Sequence, residues 1–279
     1  MPSPQLILTH LNPFMIRLVV TDMDGTLLPD EKEIPSDFWE VEKLLWERGI
    51  LFGVASGRQM HTLRHRFRAI ENRTLFLAEN GTLVMHRGQV IHSNPLGREI
   101  ANHCIGLAKP IKGAHVLLCG QKSAYTDCRD GNLLKIFLEY FEELEIVDDL
   151  LAVEDTVLKV TVYDTIHAES NSYPILSPVS SQAKLAVGGM HWLDITGLTA
   201  NKGSAMSHVQ QLFGISPSET MVFGDYLNDL EMMGTAYHSY AMPNSHPEII
   251  KAARYITKFD NNSNGVVKTI RMMLNGNLH

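Results

Sequence analysis

Cysteine is scarce in this sequence, with three residues among 279, at Cys104, Cys119 and Cys128. Their number is odd and no two are separated by only two residues, so the pattern predicts neither a disulfide framework nor a zinc knuckle. Cys119 follows the apolar residues 116–118 and is expected to be a small core residue. The scarcity favours a reducing compartment, and we expect a cytoplasmic protein.

Long apolar runs and excess positive charge are also missing. No run approaches the roughly 20 residues that cross a membrane, and the N-terminus lacks a basic region followed by a long apolar core and a cleavage site. The chain has 24 basic and 31 acidic residues and a net charge of −7, which argues against a nucleic-acid-binding surface. We therefore expect no membrane or nucleic-acid partner. Residues 1–14 carry three prolines and no hydrophobic period, and we expect them to form a flexible extension.

Two carboxylates lie at the end of the first predicted strand. The apolar run 16–20 is typical of a buried parallel strand, and Asp22 and Asp24 follow it, with Gly25 allowing the backbone to turn. Residues two apart in extended chain point to one side, so these acids repel unless a cation or a shared proton intervenes. The segment therefore predicts a metal site or paired acid chemistry, and the alternative is an acidic surface turn.

The pattern that follows is typical of a parallel sheet. Predicted helices at 36–48 and 60–70 alternate with strand-like runs at 50–55 and 75–78, each of which ends in a polar turn that contains glycine. Residues 83–91 then predict a hairpin around Arg87 and Gly88.

A second unit interrupts this pattern between residues 95 and 188, where predicted strands (115–119, 123–126, 157–163) and a helix (133–144) follow a different order. The stretch 170–181, rich in Ser and Pro, is predicted to be a loop. The first pattern resumes with a strand at 192–195, a helix at 201–213, strands at 220–223 and 237–241, and a helix from 263. We thus predict an α/β protein, with a Rossmann-like parallel-sheet core (1–94 and 189–279) and an inserted α+β unit (95–188).

Polar side chains follow the predicted core strands, and the carboxyl ends of such strands line one crevice. Four acids (Asp22, Asp24, Asp225, Asp229) and the Ser56 hydroxyl are expected to converge there. Lys202 begins a helix, where the helix dipole disfavours a cation, so a negative partner in the crevice is indicated. Hard oxygen ligands favour Mg²⁺, and the combination with a lysine and a hydroxyl is suited to phosphoryl transfer.

Four segments resemble the motifs of the haloacid dehalogenase-like hydrolase superfamily: Asp-Met-Asp-Gly-Thr at 22–26, Ser56-Gly57, Lys202, and Gly224-Asp225 with Asn228-Asp229. Their order and strand context match, and the resemblance covers the whole chain. The long interval between Ser56 and Lys202 is similar to the Cof-type subgroup, whose α+β cap lies there. The segments 78–81, 119–125 and 224–229 look most like its bacterial sugar phosphatases, although Pro243 stands where that group usually has Gly.

The resemblance implies a role for each matching residue. Asp22 would be the nucleophile that forms an aspartyl-phosphate, and Asp24 would donate and then accept the proton. Mg²⁺ would be held by Asp22, the Asp24 backbone carbonyl and Asp225, with Asp229 supporting the metal's waters. The remaining positions would bind the phosphate: Ser56, Gly57, Lys202 and Asn228.

The implied function is hydrolysis of small phosphorylated metabolites, with sugar phosphates favoured, by a monomer or weak homodimer. A phosphotransferase or mutase, and a non-catalytic phosphometabolite-binding regulator, are the alternatives. Arg58 is equally suited to an anionic substrate and to a structural ion pair. For Lys122, Tyr125 and Lys159 we expect positions on the surface of the inserted unit rather than contact with the substrate's organic part.

Overall fold

The computed structural model describes residues 16–188 and 190–276, which form fourteen strands and nine α-helices. The predicted extension before Met15 lies outside these described residues. The strands are β1 Leu18–Asp22, β2 Leu51–Ala55, β3 Leu75–Ala78, β4 Leu83–His86, β5 Gln89–Ser93, β6 Ala114–Gly120, β7 Ala124–Thr126, β8 Leu144–Ile146, β9 Val157–Asp164, β10 Ala183–Val187, β11 Trp192–Gly197, β12 Thr220–Gly224, β13 His238–Ala241 and β14 Tyr255–Ile256. The helices are α1 Phe38–Glu47, α2 Met60–Arg66, α3 Arg98–Ala108, α4 Gly131–Tyr140, α5 Tyr173–Leu176, α6 Lys202–Phe213, α7 Leu230–Met233, α8 Pro247–Ala252 and α9 Gly265–Leu274. Within the described part of the chain, none of the helices has the length and apolar character that a membrane crossing needs.

A largely parallel sheet forms the core, with its strands in the order β14-β13-β12-β1-β2-β3-β4-β5. β1 lies between β2 and β12, parallel to both, and all five of its residues are buried. Its side chains alternate between two apolar clusters: Val19 packs with Phe38 and Ile270 on one face, and Val20 packs with Met206 on the other. Helices therefore cover both faces, as the continuous apolar run of β1 predicts. The predicted hairpin is the antiparallel pair β4–β5.

The second sheet has the order β10-β11-β9-β6-β7-β8 and belongs to the inserted unit, which we call the cap. Its strand β11 pairs antiparallel with β9 and β10, so the prediction that residues 192–195 belong to the core is wrong. The physical reason lies in the alternation of the strand, with Leu193 and Ile195 buried in the cap core and Trp192 and Asp194 only partly buried. Such alternation is typical of an antiparallel strand. Because β11 belongs to the cap sheet, the cap extends to Gly197 and does not end at residue 188 as predicted.

The stretch predicted to be a loop is mostly helical. Residues 168–172 form a π-helical turn, α5 follows directly, and a 3₁₀ segment occupies 177–181. Leu176 and Val179 are buried against the cap sheet. Pro174 and Pro178 stand in first turns, where the missing N–H costs no helical hydrogen bond, so prolines that suggested a loop begin helical segments instead.

Polar contacts hold the cap over the carboxyl edge of the core sheet. The Gln59 side chain, just after β2, donates from Nε2 to the Glu143 carbonyl at 3.0 Å and accepts from the Glu143 N–H at 3.2 Å. At a second point, Lys184 of β10 pairs with Glu231 of α7 at 2.8 Å. Both contacts join a residue of the cap to a residue of the core.

Candidate active site

A cavity of about 540 Å³ lies between the carboxyl edge of the core sheet and the cap. The turns after β1, β2, β3 and β12 contribute the core side, and the loop after α4, together with β9 and β11, contributes the cap side. Its lining residues are Asp22, Asp24, Lys32, Ser56, Gly57, Arg58, Gln59, Asn80, Tyr140, Phe141, Lys159, Thr161, Gly188, Trp192, Asp194, Asp225, Tyr226 and Asn228. The strand ends thus converge on one cavity.

Lys202 lies directly behind this cavity, buried between two carboxylates. Its Nζ is 2.5 Å from Oδ1 of Asp22 and 2.6 Å from Oδ1 of Asp229, and the side chain has no exposed surface. Burial alone would lower the pKa of Lys202, but the two neighbouring acids outweigh it and raise that pKa. The Asn201 side chain caps the helix by accepting from the Ser204 N–H. A cation at a helix N-terminus is therefore explained by its anionic partners.

The turn after β12 fixes the remaining acids of the core. Asp229 Oδ2 accepts hydrogen bonds from the backbone N–H groups of Asp225 (3.0 Å) and Tyr226 (3.2 Å). Thr26 Oγ1 donates to Asp225 Oδ1 at 2.8 Å. A side chain at Gly224 would place its Cβ 2.7 Å from the Asp229 carboxyl group. Glycine at position 224 is thus needed for packing, because it leaves room for the Asp229 carboxyl group.

The carboxylates of Asp22, Asp225 and Asp229 form a cluster, with one oxygen of each within 4.8 Å of the others. Burial raises the pKa of Asp22, and repulsion from Asp229 and Asp225 adds to it, outweighing Lys202. Burial, with the charge of Asp229, raises the pKa of Asp225 to about 6. Gly25, at φ +79°, permits the close approach, since a Cβ there would lie 2.4 Å from Asp225 Oδ2. Crowded hard oxygens of this kind fit a divalent cation.

Asp24 faces a different partner. Its carboxylate accepts from Arg58 Nε (2.7 Å) and Nη2 (2.8 Å), and Lys32 Nζ lies 3.5 Å away. Burial would raise the pKa of Asp24, but the hydrogen bonds and charge of Arg58, aided by Lys32, bring it below its ordinary value. The Asp24 carboxylate is therefore not part of the three-acid cluster. Its side chain is paired with Arg58 and is not placed as a direct metal ligand. Arg58, whose role the sequence left open, forms an ion pair inside the cavity.

Three of the four predicted phosphate-binding residues line the core side of the cavity, and the fourth, Lys202, is buried behind it. Ser56 is buried at the end of β2, and its Oγ accepts from the Arg58 N–H at 3.2 Å. Asn228 Nδ2 donates to Asn80 Oδ1 at 3.0 Å. Gly57 lies next to Asn80, which a Cβ at position 57 would approach to 3.1 Å. Ser56, Gly57 and Asn228 all line the cavity, and Lys202 contacts Asp22 at its edge.

Sequence reasoning missed a second ionic cluster, around Lys159. This residue was expected on the cap surface but is only 4% exposed, with Nζ 2.8 Å from Glu79 Oε2 and 3.2 Å from Asp194 Oδ2. It also donates to the Gly57 carbonyl at 3.3 Å. Glu79 is fully buried at φ +51°, a conformation that is strained for a side chain of this size. The sequence did contain a sign of this burial, because Lys159 lies inside the apolar run 157–163. A lysine within a buried strand is expected to have an ionic partner.

The chain is similar to known proteins over most of its length. A family model described as haloacid dehalogenase-like hydrolase matches residues 19–270. The 5-amino-6-(5-phospho-D-ribitylamino)uracil phosphatase YbjI of Escherichia coli (strain K12) is 31% identical over 273 residues, 93% of this chain and 96% of that protein. The HMP-PP phosphatase of Citrobacter koseri is 27% identical over 242 residues, 85% of this chain and 87% of that protein.

Among solved structures, one from Streptococcus mutans UA159 has 27% identity and a TM-score of 0.83, covering 93% of this chain and 99% of that one. The predicted fold, a parallel-sheet core with an inserted cap, is confirmed by this agreement and by the two sheets. The motifs that pointed to one superfamily stand together at a single cavity. The chain therefore belongs to the haloacid dehalogenase-like hydrolase family and is an enzyme of the phosphatase type.

Proposed function

We propose that this chain is a Mg²⁺-dependent phosphatase that hydrolyses small phosphorylated metabolites, sugar phosphates among them, through an aspartyl-phosphate on Asp22. One observation carries the proposal. The Asp22 carboxylate lies at the cavity wall, 2.5 Å from a fully buried lysine and within 4.8 Å of two further acids. A nucleophilic carboxylate needs charge neutralisation and a fixed orientation, and Lys202 supplies both.

The metal would be held by Asp22, Asp225 and the Asp24 backbone carbonyl. Both oxygens of Asp229 already accept hydrogen bonds, from Lys202 and from two backbone N–H groups, which suits a supporting role beside the metal. When bound, Mg²⁺ would neutralise phosphate charge and keep the acids ionised.

The chain's own residues account for the phosphoryl transfer. Asp22 attacks phosphorus, a P–O(Asp) bond forms, and the P–O bond to the leaving group breaks. Ser56, the Gly57 N–H and Asn228 bind the phosphate oxygens from the wall where they lie, and Lys202 neutralises charge on the attacking side. Water then attacks phosphorus and releases phosphate from Asp22.

Asp24 carries the proton in both steps. With its pKa lowered by Arg58, Asp24 is ionised and ready as the base that activates water. To act as the acid, Asp24 must first take up a proton from solvent. A phosphate dianion in the cavity competes for the Arg58 guanidinium, which loosens the Arg58 pair and allows this uptake. Asp24 then donates the proton to the leaving alkoxide, and the carboxylate that results accepts a proton from the attacking water. Arg58 thus links phosphate binding to the protonation of Asp24.

Small phosphorylated metabolites suit the size of the cavity. About 540 Å³ lies in the range of roughly 300–1,000 Å³ that is usual for small-molecule sites. The name of the Escherichia coli relative denotes a phosphate carried on a ribityl chain, a sugar-alcohol phosphate, and this supports sugar phosphates as the first substrates to test.

The test is phosphate release from a panel of sugar phosphates, in Mg²⁺ and in EDTA. We expect EDTA to abolish release and Asp22→Asn to lower kcat by about a thousandfold or more while the chain stays folded. Glu145→Gln, an exposed cap position on β8, is the control and should keep wild-type rates. Phosphate release that persists in EDTA, or that Asp22→Asn leaves intact, would refute the proposal.

A further inference from the structure

The cap contributes a polar group to the cavity that the proposed chemistry does not use. Thr161 of β9 and Asp194 of β11 are directly opposite each other in the antiparallel register, so their side chains share one face of the cap sheet. Thr161 Oγ1 donates to Asp194 Oδ1 at 2.6 Å, and Lys159 Nζ donates to Asp194 Oδ2 at 3.2 Å. All three residues line the cavity. The cap face thus presents a carboxylate that is fixed at both of its oxygens.

Lys159 is held by groups of the protein itself. An ammonium group has three N–H donors, and Lys159 has three acceptors in reach: Glu79, Asp194 and the Gly57 carbonyl. It is the one cation among the described residues that line the cavity from the cap side. The net charge of Lys159, Glu79 and Asp194 together is therefore negative, or zero when Glu79 is protonated.

Asp194 keeps acceptor capacity toward the cavity. Its side chain is 22% exposed, and an ionised carboxylate offers about four lone-pair sites, of which Thr161 and Lys159 occupy one each. The remaining sites can accept from hydroxyl or amino groups. A second anionic group next to this carboxylate would be repelled and would find no free cation on the cap side.

An aromatic surface flanks the carboxylate. Trp192 lies two residues before Asp194 and therefore on the same face of β11, and its ring lies 4.8 Å from that of Tyr140 and 4.7 Å from that of Tyr163. Trp192 and Tyr140 both line the cavity. Aromatic faces beside a polar anchor suit the carbon skeleton of a ligand whose hydroxyls point to one side.

We infer that Asp194 determines which leaving group the enzyme accepts: a neutral one that bears hydroxyl or amino donors, and not one that carries a second anionic group. This inference rests on the proposed phosphatase function and narrows its substrate class to monophosphates of neutral polyhydroxylated or aminated compounds. Asp194 binds the leaving group and takes no part in the transfer of phosphorus, so its replacement changes selectivity between substrates rather than the chemistry itself.

The test compares sorbitol 6-phosphate with 6-phosphogluconate, which differ only in a hydroxymethyl group against a carboxylate at the far end. The aryl ester p-nitrophenyl phosphate, which has no donor on its leaving group, serves as reference. We expect the wild type to prefer the sorbitol ester in kcat/KM by roughly tenfold or more, the size expected for one charge-assisted hydrogen bond. Asp194→Asn should lose most of this preference, and its kcat/KM on the sorbitol ester should fall by several times more than its kcat/KM on the aryl ester.

Two further variants complete the design. Thr161→Val keeps the shape but removes one donor that fixes Asp194, and it should weaken the preference in the same direction. Glu145→Gln also removes one negative charge from the cap, but at an exposed position on β8, and it should leave the preference intact.

The outcomes separate the two proposals. Absence of phosphate release from all three esters by the wild type contradicts the proposed function. A wild type that is active but treats the two esters alike contradicts the inference, even if Asp194→Asn fails to fold. An Asp194→Asn variant that loses activity equally on all three esters also contradicts it, since that result indicates a structural role.

Discussion

Replacing Lys202 by Met should destabilise the fold strongly, because it removes the cation from a buried ionic network and leaves the anions in place. Lys202 has no exposed surface and contacts Asp22 and Asp229 at 2.5 and 2.6 Å. Removal of one partner from a buried pair costs about 3–5 kcal/mol, since the other charge stays buried and unpaired. With an unfolding entropy of about 2.1 cal/mol/K per residue over the 279 residues, that loss lowers Tm by roughly 5–9 °C.

The control is Lys184→Met, which breaks an ion pair of the same chemistry at the surface. Lys184 and Glu231 are 2.8 Å apart, with side chains 37% and 39% exposed. A pair of this kind contributes about 0–1 kcal/mol, so Tm should fall by roughly 2 °C or less. Both variants are compared by thermal unfolding in EDTA, so that metal binding does not contribute. Equal Tm losses in the two variants would show that burial does not determine the cost of breaking these ion pairs.

Two further predictions concern the metal site. Mg²⁺ at about 100 times its Kd should stabilise the wild type by roughly 2.7 kcal/mol, which is measured as a rise in Tm. Asp225→Asn should remove most of that rise. An undiminished rise in this variant would mean that the metal binds elsewhere. Gly25→Ala should abolish both the Mg²⁺-dependent rise and turnover, because its Cβ would lie 2.4 Å from Asp225 Oδ2. Gly49→Ala is the control, since Gly49 has a similar positive φ of +69° but its added Cβ would have no atom within 4 Å. This variant should lose stability but keep turnover. Equal activities in the two glycine variants would contradict the steric argument.

The core and its strand ends could be predicted because their signals are local. The continuous apolar run before Asp22 and the glycine turns marked buried parallel strands, and β1, β2 and β3 lie side by side as expected. Lys202 could be interpreted from its position alone, because the helix dipole disfavours a cation at a helix N-terminus and so indicates an anionic partner. The partner it has, Asp22, is 180 residues away in sequence.

The cap side could not be predicted, because its contacts depend on register and on domain placement. The prediction for residues 192–195 failed since four apolar and polar residues fit either sheet, and only pairing with β9 and β10 decides between them. Lys159 reaches Glu79 across two units of the chain, and no periodicity specifies that contact. Arg58 and Asp24 follow two neighbouring strands and form an ion pair. The sequence predicts that both residues lie at the same edge of the sheet, but not that they pair with each other.

The proposed mechanism depends on the phosphorylation of Asp22 during turnover. The direct measurement is an acid quench of the wild type with a sugar phosphate and Mg²⁺, followed by mass spectrometry of the peptide that contains residues 18–28. We predict one phosphoryl group on Asp22, released by hydroxylamine as acyl phosphates are, and none in Asp22→Asn. A phosphoryl group on another residue, or full turnover by Asp22→Asn without any phosphoenzyme, would show that Asp22 is not the nucleophile.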